Sequence, residues 1–412
     1  MRSKSMTKYI LLMCIPAFVF GMSMQDTVDL TLQNDPSLRS LGFQTKAKKA
    51  DLGMAQSKLY PSIDADVAYN SRKYKLNDTK KNEEEEYNSY RLTLSQDIYN
   101  HTSYQAIKET RYDIELQNTK LEAYKRELSL EVMTAYVDAA IAKEEIKLAK
   151  QQESFYTKKL QQLQKMYTRK LVTKNDLDEA YINKNEAYIN TQQLNDNYQI
   201  ALFRLKQYTN DYNFEIDEEI VQEDMVVVNA LDVANNLEYK MAQSTAKLSK
   251  QRIDTAFSEH YPTLNVYANY TKYTSNDIIN DYEDDKKVIV GVNIPLFRGW
   301  ETSNKVAKNR YAYQASKEDI VAKAKELKNR YEEARFKSVI LDKNIKLYTN
   351  IIVDSEKYLS DIESSFLNGL KNEVDLEEVK LKVAEKYNLL NKYKYEKIKI
   401  NNEIRYLTGE LI

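Results

Sequence analysis

Cysteine occurs once in this chain, at position 14. Downstream of it, a disulfide framework and a thiolate metal site are both excluded. Glycine and proline are almost as scarce, with 7 and 5 copies among 412 residues. So few backbone breakers imply long helices with few turns. Histidine appears at 101 and 260 alone, each without a spaced set of carboxylates, which argues against a metal centre. The scattered glycines form no phosphate-cradling loop, and no nucleophile–base constellation is present. Neither a cofactor nor an enzymatic reaction is expected. The formal net charge is −1, so no basic bias exists to hold a phosphate backbone, and nucleic acid is not an expected partner.

Long apolar runs are missing as well. The apolar stretch over 9–20 follows Lys4 and Lys8 and ends before the small residues Gly21 and Ser23. It reads as a secretory leader over 1–23. An N-terminal membrane anchor is the alternative, but the run is too short to span a bilayer comfortably. Cys14 lies inside it behind Met13 rather than a small residue, which argues against lipoprotein processing. Nothing after residue 23 has the length and apolarity of a transmembrane helix. A membrane crossing would therefore need strands.

What the chain does contain is one pattern written twice. Tyr60-Pro61-Ser62-Ile63 recurs as Tyr261-Pro262-Thr263-Leu264, Arg111-Tyr112 as Arg310-Tyr311, and Glu127-Leu128 as Glu326-Leu327. Asp176-Leu177-Asp178-Glu179 recurs as Asp375-Leu376-Glu377-Glu378. The offset stays near ~200 residues throughout, as an internal duplication requires. The unit over 24–412 is thus built of two repeats, 26–210 and 228–409. Each holds a helix (26–59 and 231–260), a pair of strands of about ten residues, and two very long helices. Both first helices stop before a proline, which pushes the preceding residue out of the helical region.

After each stop the period becomes twofold. Ile63, Ala65, Val67 and Tyr69 alternate with Asp64, Asp66, Ala68 and Asn70, and Val288, Val290 and Val292 alternate with Ile289, Gly291 and Asn293. These segments form two β-hairpins, at about 62–99 and 263–297, joined by the polar, acidic stretches 77–86 and 275–287. The run 83–86 reads as a solvated tip rather than a calcium site. The long helices follow a 4–3 spacing: Leu128, Val132, Ala135, Ala139, Ala142, Ile146 and Ala149, then Leu327, Tyr331, Ala334, Ser338, Leu341, Ile345, Tyr348 and Ile352. Such spacing specifies helices packed knobs-into-holes. A helix over 103–168 would be on the order of 100 Å long at ~1.5 Å per residue, so a rod or a tube is expected. Periodicity leaves both open.

Two hairpins cannot close a barrel alone, and lipid does not tolerate open strand edges. Three chains would supply twelve strands and close the ring. The alternative is a pair of soluble hairpins on a coiled coil, as in a periplasmic structural or adaptor protein.

The repeated Tyr-Pro before each first strand, together with Ile98-Tyr99 and Pro295-Leu296-Phe297-Arg298-Gly299 after each second strand, carries a resemblance. So does the turn and acidic helix start running from Gly369 to Glu378, echoed between Leu171 and Glu179. In this order, twice, they resemble the TolC-like outer membrane factor family, also called outer membrane efflux proteins. The resemblance implies a mostly α fold with a small β part. It further implies a homotrimer whose four strands per chain form a 12-stranded barrel in outer-membrane lipid, continued by a long periplasmic α-barrel. It implies an outer-membrane exit duct of a tripartite efflux or type I secretion system, partnered by a periplasmic adaptor (membrane fusion) protein and an inner-membrane pump. By the same resemblance, Asp375 and Glu378 ring the channel entrance, and Lys371 and Asp176 belong to the network closing it. Phe366 stands where the family often has a tyrosine in that network. Acidic residues at a helix start also satisfy the helix macrodipole and need no other role.

Overall fold

The computed structural model describes residues 21–75, 82–217, 231–274 and 284–411; most of the expected leader and much of the expected strand connections lie outside them. The elements are α1 (Met24–Asn34), α2 (Pro36–Ser57), β1 (Ser62–Lys75), β2 (Asn82–Asn100), α3 (His101–Thr168) and α4 (Lys174–Thr209). After them come α5 (Leu237–Phe257), β3 (Thr263–Thr274), β4 (Asp284–Asn293), α6 (Glu301–Leu367) and α7 (Glu373–Thr408). The fold is mostly helical with one small sheet. Among the described residues no helix is long and apolar enough to cross a membrane.

Two expectations need correction. The helix expected over 26–59 is broken, because Asp35 is extended at φ −64° and ψ 121°. Pro36 imposes this on its predecessor just as Pro262 does on Tyr261, extended at φ −82° and ψ 147°. The strands, expected at about ten residues, reach 14 in β1 and 19 in β2. Apolar alternation marks only the stretch of a strand with one apolar face. The start of β2, at 82–86, is polar throughout and so looks like a connection.

The chain divides into two units. The first comprises 1–35, 128–228 and 334–404. Side-chain pairs give its helix order. Gln164 of α3 donates to the Tyr181 hydroxyl of α4 at 2.7 Å. On its other flank α3 meets α7, through Lys158–Glu377 at 3.1 Å, Lys392–Glu145 at 3.2 Å and Lys399–Asp138 at 2.7 Å. Helix α7 in turn meets α6 through Lys397–Asp342, Tyr387–Glu356 and the Tyr348–Tyr393 ring pair. The order is α4-α3-α7-α6. Exposed pairs such as these contribute little stability; they report adjacency. The stability lies in the apolar seams, where Val132, Ala135, Ala139, Ile146 and Ala149 are buried, as are Ala334, Ser338, Leu341 and Ile352. Small residues at 135, 139 and 140 let α3 approach Leu202 and Leu205 of α4, with Tyr136, Phe214 and Ile216 completing the cluster. Met22 pairs with Ile216 in a parallel bridge, so the segment leading into α1 is tied to this core.

The second unit comprises 36–127, 229–333 and 405–412. Lys48–Asp113 joins α2 to α3 at 2.9 Å, while Lys247–Glu115 and Arg252–Glu109 join α3 to α5 at 2.9 and 3.2 Å. Lys305–Glu259, at 3.1 Å, holds α6 beside the turn that ends α5. The order is α2-α3-α5-α6. The four strands form one antiparallel sheet in the order β1-β2-β3-β4. Its register sets Ala65 against Leu92, Leu92 against Tyr270, and Ala268 against Leu94 and Val288. One face is therefore apolar, carrying Ile63, Val67, Leu92, Val288 and Val290, and all five are exposed. The opposite face lines up Asp64, Thr93, Asn269 and Lys287, then Asp66, Arg91, Thr271 and Asp285. β1 and β4 are both open edges.

Candidate functional site

The residues assigned to the entrance sit on two turns of the first unit, and the turns are built alike. After α3, Lys170 takes a left-handed conformation at φ 57°, and the Leu171 N–H donates back to the Met166 carbonyl at 3.0 Å. After α6, Gly369 does the same at φ 74°, and the Leu370 N–H donates to the Ser365 carbonyl at 2.9 Å. Both are helix stops that satisfy carbonyls left without a helical partner. The next helix starts alike in both. Thr173 caps α4: its hydroxyl accepts from the Asp176 N–H at 3.2 Å, and the Asp176 carboxylate accepts from the Thr173 N–H at 2.8 Å. Asn372 and Asp375 repeat the exchange at 3.0 and 3.2 Å. Asp176 and Asp375 are thus structural equivalents in capping boxes. The Thr173 hydroxyl and N–H hold the Asp176 carboxyl below the usual carboxylate range, so it is charged at neutral pH.

The four acids of the second turn, Glu373, Asp375, Glu377 and Glu378, separate by direction. Glu377 points at α3, where Lys158 binds it at 3.1 Å and Glu373 at 3.4 Å. The Glu377 carboxylate is the main cause raising the Lys158 pKa above the ordinary lysine value. Asp375 and Glu378, three residues apart, share a different face of α7. Glu378 pairs with Lys382 on its own helix at 2.7 Å. In the single chain no ion pair joins Lys371 to Asp176 among the described residues, since Asp176 is held by Thr173. Phe366 packs against the cluster of Ile362, Leu376 and Val379 under the turn. Leu171 and Leu370, by contrast, project into solvent. The Lys158 contacts are absent from the sequence reading. Lys158 flanks the seam positions Tyr156 and Leu160, where charges of facing helices meet, but which helix faces α3 is not written in the periodicity.

A family model for outer membrane efflux proteins matches residues 27–211 and 230–410, one match on each half. The chain belongs to the outer membrane efflux protein family. It is similar to the alkaline protease secretion protein AprF of Pseudomonas aeruginosa, 22% identical over 98% of this chain and 87% of that protein. It is also similar to the outer membrane protein TolC of Vibrio cholerae, 19% identical over 95% of this chain and 92% of that one. The Campylobacter jejuni CmeC outer membrane channel has the same fold, with a TM-score of 0.79 at 14% identity, covering 94% of this chain and 85% of CmeC. This efflux protein is accordingly an outer-membrane protein of a transport family, and the TolC-like resemblance holds over nearly the whole chain.

In each half of this efflux protein an asparagine ahead of the second helical segment bonds a carbonyl at the end of the last helix, from positions one residue out of register between the repeats. In the first half Asn34 donates to the Thr209 carbonyl at 2.9 Å, beside Asn210 at φ 56°. In the second, Asn236 donates to the Leu407 carbonyl at 3.1 Å, beside Gly409 at φ 81°.

Proposed function

We propose that three copies of this efflux protein close into one passive duct, the outer-membrane exit of a tripartite efflux or type I secretion system. The observation that carries this reading is the sheet. Its apolar face is exposed along Ile63, Val67, Val288 and Val290, its other face is polar, and among the described residues β1 and β4 each pair on one side only. Lipid accepts an apolar face and rejects open edges, so the sheet fits a bilayer only as part of a closed ring. Three copies give twelve strands. The flanking helices support the same closure. In the order α4-α3-α7-α6 the outer helices are α4 and α6, and both expose apolar residues at heptad-like steps. On α4 these are Ile182, Ile189 and Phe203; on α6 they are Phe336, Ile340, Leu347, Ile351 and Tyr358. A second seam of this kind joins α6 of one copy to α4 of the next.

In this trimer Asp375 and Glu378 form rings of three at the entrance and favour cations, because Glu377 is already engaged by Lys158. Lys371 and Asp176 hold the entrance closed across neighbouring turns. Leu171 and Leu370, exposed at the turn tips, offer apolar knobs to a periplasmic adaptor, behind which an inner-membrane pump supplies the energy. Relatives named for protease secretion, AprF and PrtF, support a polypeptide among the cargoes. The duct performs no chemistry itself.

The test is physical. The protein should leave membranes only with detergent, run as a trimer in native mass spectrometry, and conduct ions in planar bilayers. A monodisperse monomer that is soluble without detergent would sink the reading.

A further inference from the structure

Where the sheet of the second unit gives way to helices, a cavity of about 330 Å³ opens between the end of α2 and the first turns of α3. Leu59 and Ile107 form its apolar floor, and Tyr60, Tyr104, Lys108 and Arg111 stand around it. No acid lines it. Among the described residues neither Lys108 nor Arg111 has an ion-pair partner, while charges close by in the chain are matched: Glu109 to Arg252, Asp113 to Lys48, Glu115 to Lys247. Of the two cations, Arg111 recurs as Arg310 in the second half, whereas Lys108 falls on Ala307. A different cavity, at the start of α6, is lined by Glu259, Arg298 and Glu301, and Lys305 binds both carboxylates. Lys108 is thus the cation that the first half adds at this border.

We infer that the Tyr60–Tyr104–Lys108–Arg111 cavity binds a phosphate group, as carried by the headgroup of an anionic phospholipid. Tyr60 lies two residues before β1 and Tyr104 four residues after β2, so the cavity sits at the strand–helix border. Helical side chains lean toward the N-terminus, which on α3 is the strand side. Lys108 is the eighth residue of α3, about 10 Å along its axis from His101 at ~1.5 Å per residue. Its flexible stem reaches back toward a headgroup layer several ångströms thick on each side of the hydrocarbon. Arg111, one turn further, presents a fork suited to two phosphate oxygens. The lipid source rests on the reading that the strands cross a bilayer; a free phosphate does not.

The test uses the detergent-purified, delipidated full-length protein with two probes, dihexanoyl-phosphatidylglycerol and inorganic phosphate, and counts adducts by native mass spectrometry. Wild-type protein should bind the short lipid, and Lys108→Gln with Arg111→Gln should weaken this roughly tenfold or more, since two charge-assisted contacts are lost. Lys120→Gln, an exposed lysine further along α3, should leave binding unchanged. Lipid adducts that inorganic phosphate does not displace identify a headgroup. Displacement by phosphate identifies the free ion, with the cavity still its site. No adduct of either probe, or equal retention by the double variant, overturns the assignment. The same samples go into planar bilayers: channels without adducts fail the cavity alone, whereas phosphate adducts without channels fail the membrane reading alone.

Discussion

The Tyr136 hydroxyl donates a 2.8 Å hydrogen bond to the Met22 carbonyl and accepts one of 3.1 Å from the Asp217 N–H. Its ring is fully buried among the small residues of α3 and the side chains of Leu205 and Phe214. Tyr136→Phe keeps the shape and removes both hydrogen bonds, while the Asp217 N–H retains the Met22 carbonyl at 3.3 Å; the cost is about 1 kcal/mol, measurable as a lower denaturation midpoint in detergent. Burial, the largest cause, pushes the Tyr136 pKa up to about 12. An unfolded tyrosine loses its proton near pH ~10, so over that interval the unfolded state ionises first. The contribution of Tyr136 is complete below pH ~10 and declines by about 1.4 kcal/mol per pH unit up to the folded pKa. Tyr136→Phe should flatten that decline in part, because Tyr406, also raised by burial, retains its own share. An identical alkaline slope in the variant would contradict this.

Neighbouring contacts bear on the leader expected over 1–23. Ser23 caps α1 by accepting from the Asp26 N–H at 3.2 Å, and the Met22 N–H donates to the Glu215 carbonyl at 2.9 Å. A cut after Ser23, the boundary expected from small residues alone, would delete both. A cut after Gly21, the other small residue, would keep both. Amino-terminal sequencing of protein extracted from outer membranes should begin at Met22 or upstream, and a start at Met24 would refute this.

In the second unit Asn236 does for α5 and α7 together what Ser23 does for one helix. Its carbonyl oxygen accepts from the Glu238 N–H at 2.8 Å, and its amide donates to the Leu407 carbonyl at 3.1 Å. Asn236→Ala loses a helix cap and leaves a buried carbonyl short of a donor, together about 2–3 kcal/mol. Gly409 is fixed by the same joint, being at φ 81° with the Asn235 carbonyl oxygen 2.8 Å from where a Cβ would stand. Gly409→Ala should cost at least as much as Asn236→Ala, whereas Asn235→Ala, exposed beside them, should leave the melting temperature nearly unchanged.

The duplication, the 4–3 seams and the twofold alternation were legible because each is a repeat of residue type at a fixed interval. Residues named for the seam, from Leu128 to Ile352, are buried or half-buried. The Pro36 break carries the same signal as the stop before Pro61 and is readable in retrospect. Strand ends such as 82–86 are not, since a segment polar on both faces has no period to detect. Nor was the α3–α7 pairing, and with it the role of Lys158. Heptads state that a helix has a partner, not which one.

The two sheet faces give opposite forecasts for the same chemical change. Val290 lies on the apolar face opposite Val266, and Thr93 lies on the polar face beside Asp64 and Asn269. Val290→Lys sets a charge against hydrocarbon, costing about 2–4 kcal/mol per copy if it lies near the bilayer midplane. Thr93→Lys keeps its charge in water next to a carboxylate. Outer-membrane assembly, followed by membrane fractionation, should fail for the first and survive for the second. Equal assembly of both would mean that the apolar face is not the lipid face.

On the turn before α7 the Asp375 carboxylate accepts from the Asn372 N–H at 3.2 Å, and in the proposed trimer three copies of it would ring the entrance. Asp375→Asn keeps an oxygen able to accept that hydrogen bond and removes the charge, and Glu378→Gln does the same beside Lys382. The double substitution should therefore leave the trimer's melting temperature within ~1 °C, since surface changes of this kind are small. It should nevertheless lower the cation preference of the channel and weaken block by multivalent cations, because the negative potential of the rings is gone. Glu377→Gln, whose carboxylate is engaged by Lys158, serves as the control and should change selectivity little. If the Asp375/Glu378 double variant conducts and is blocked as wild type, those carboxylates do not face the pore.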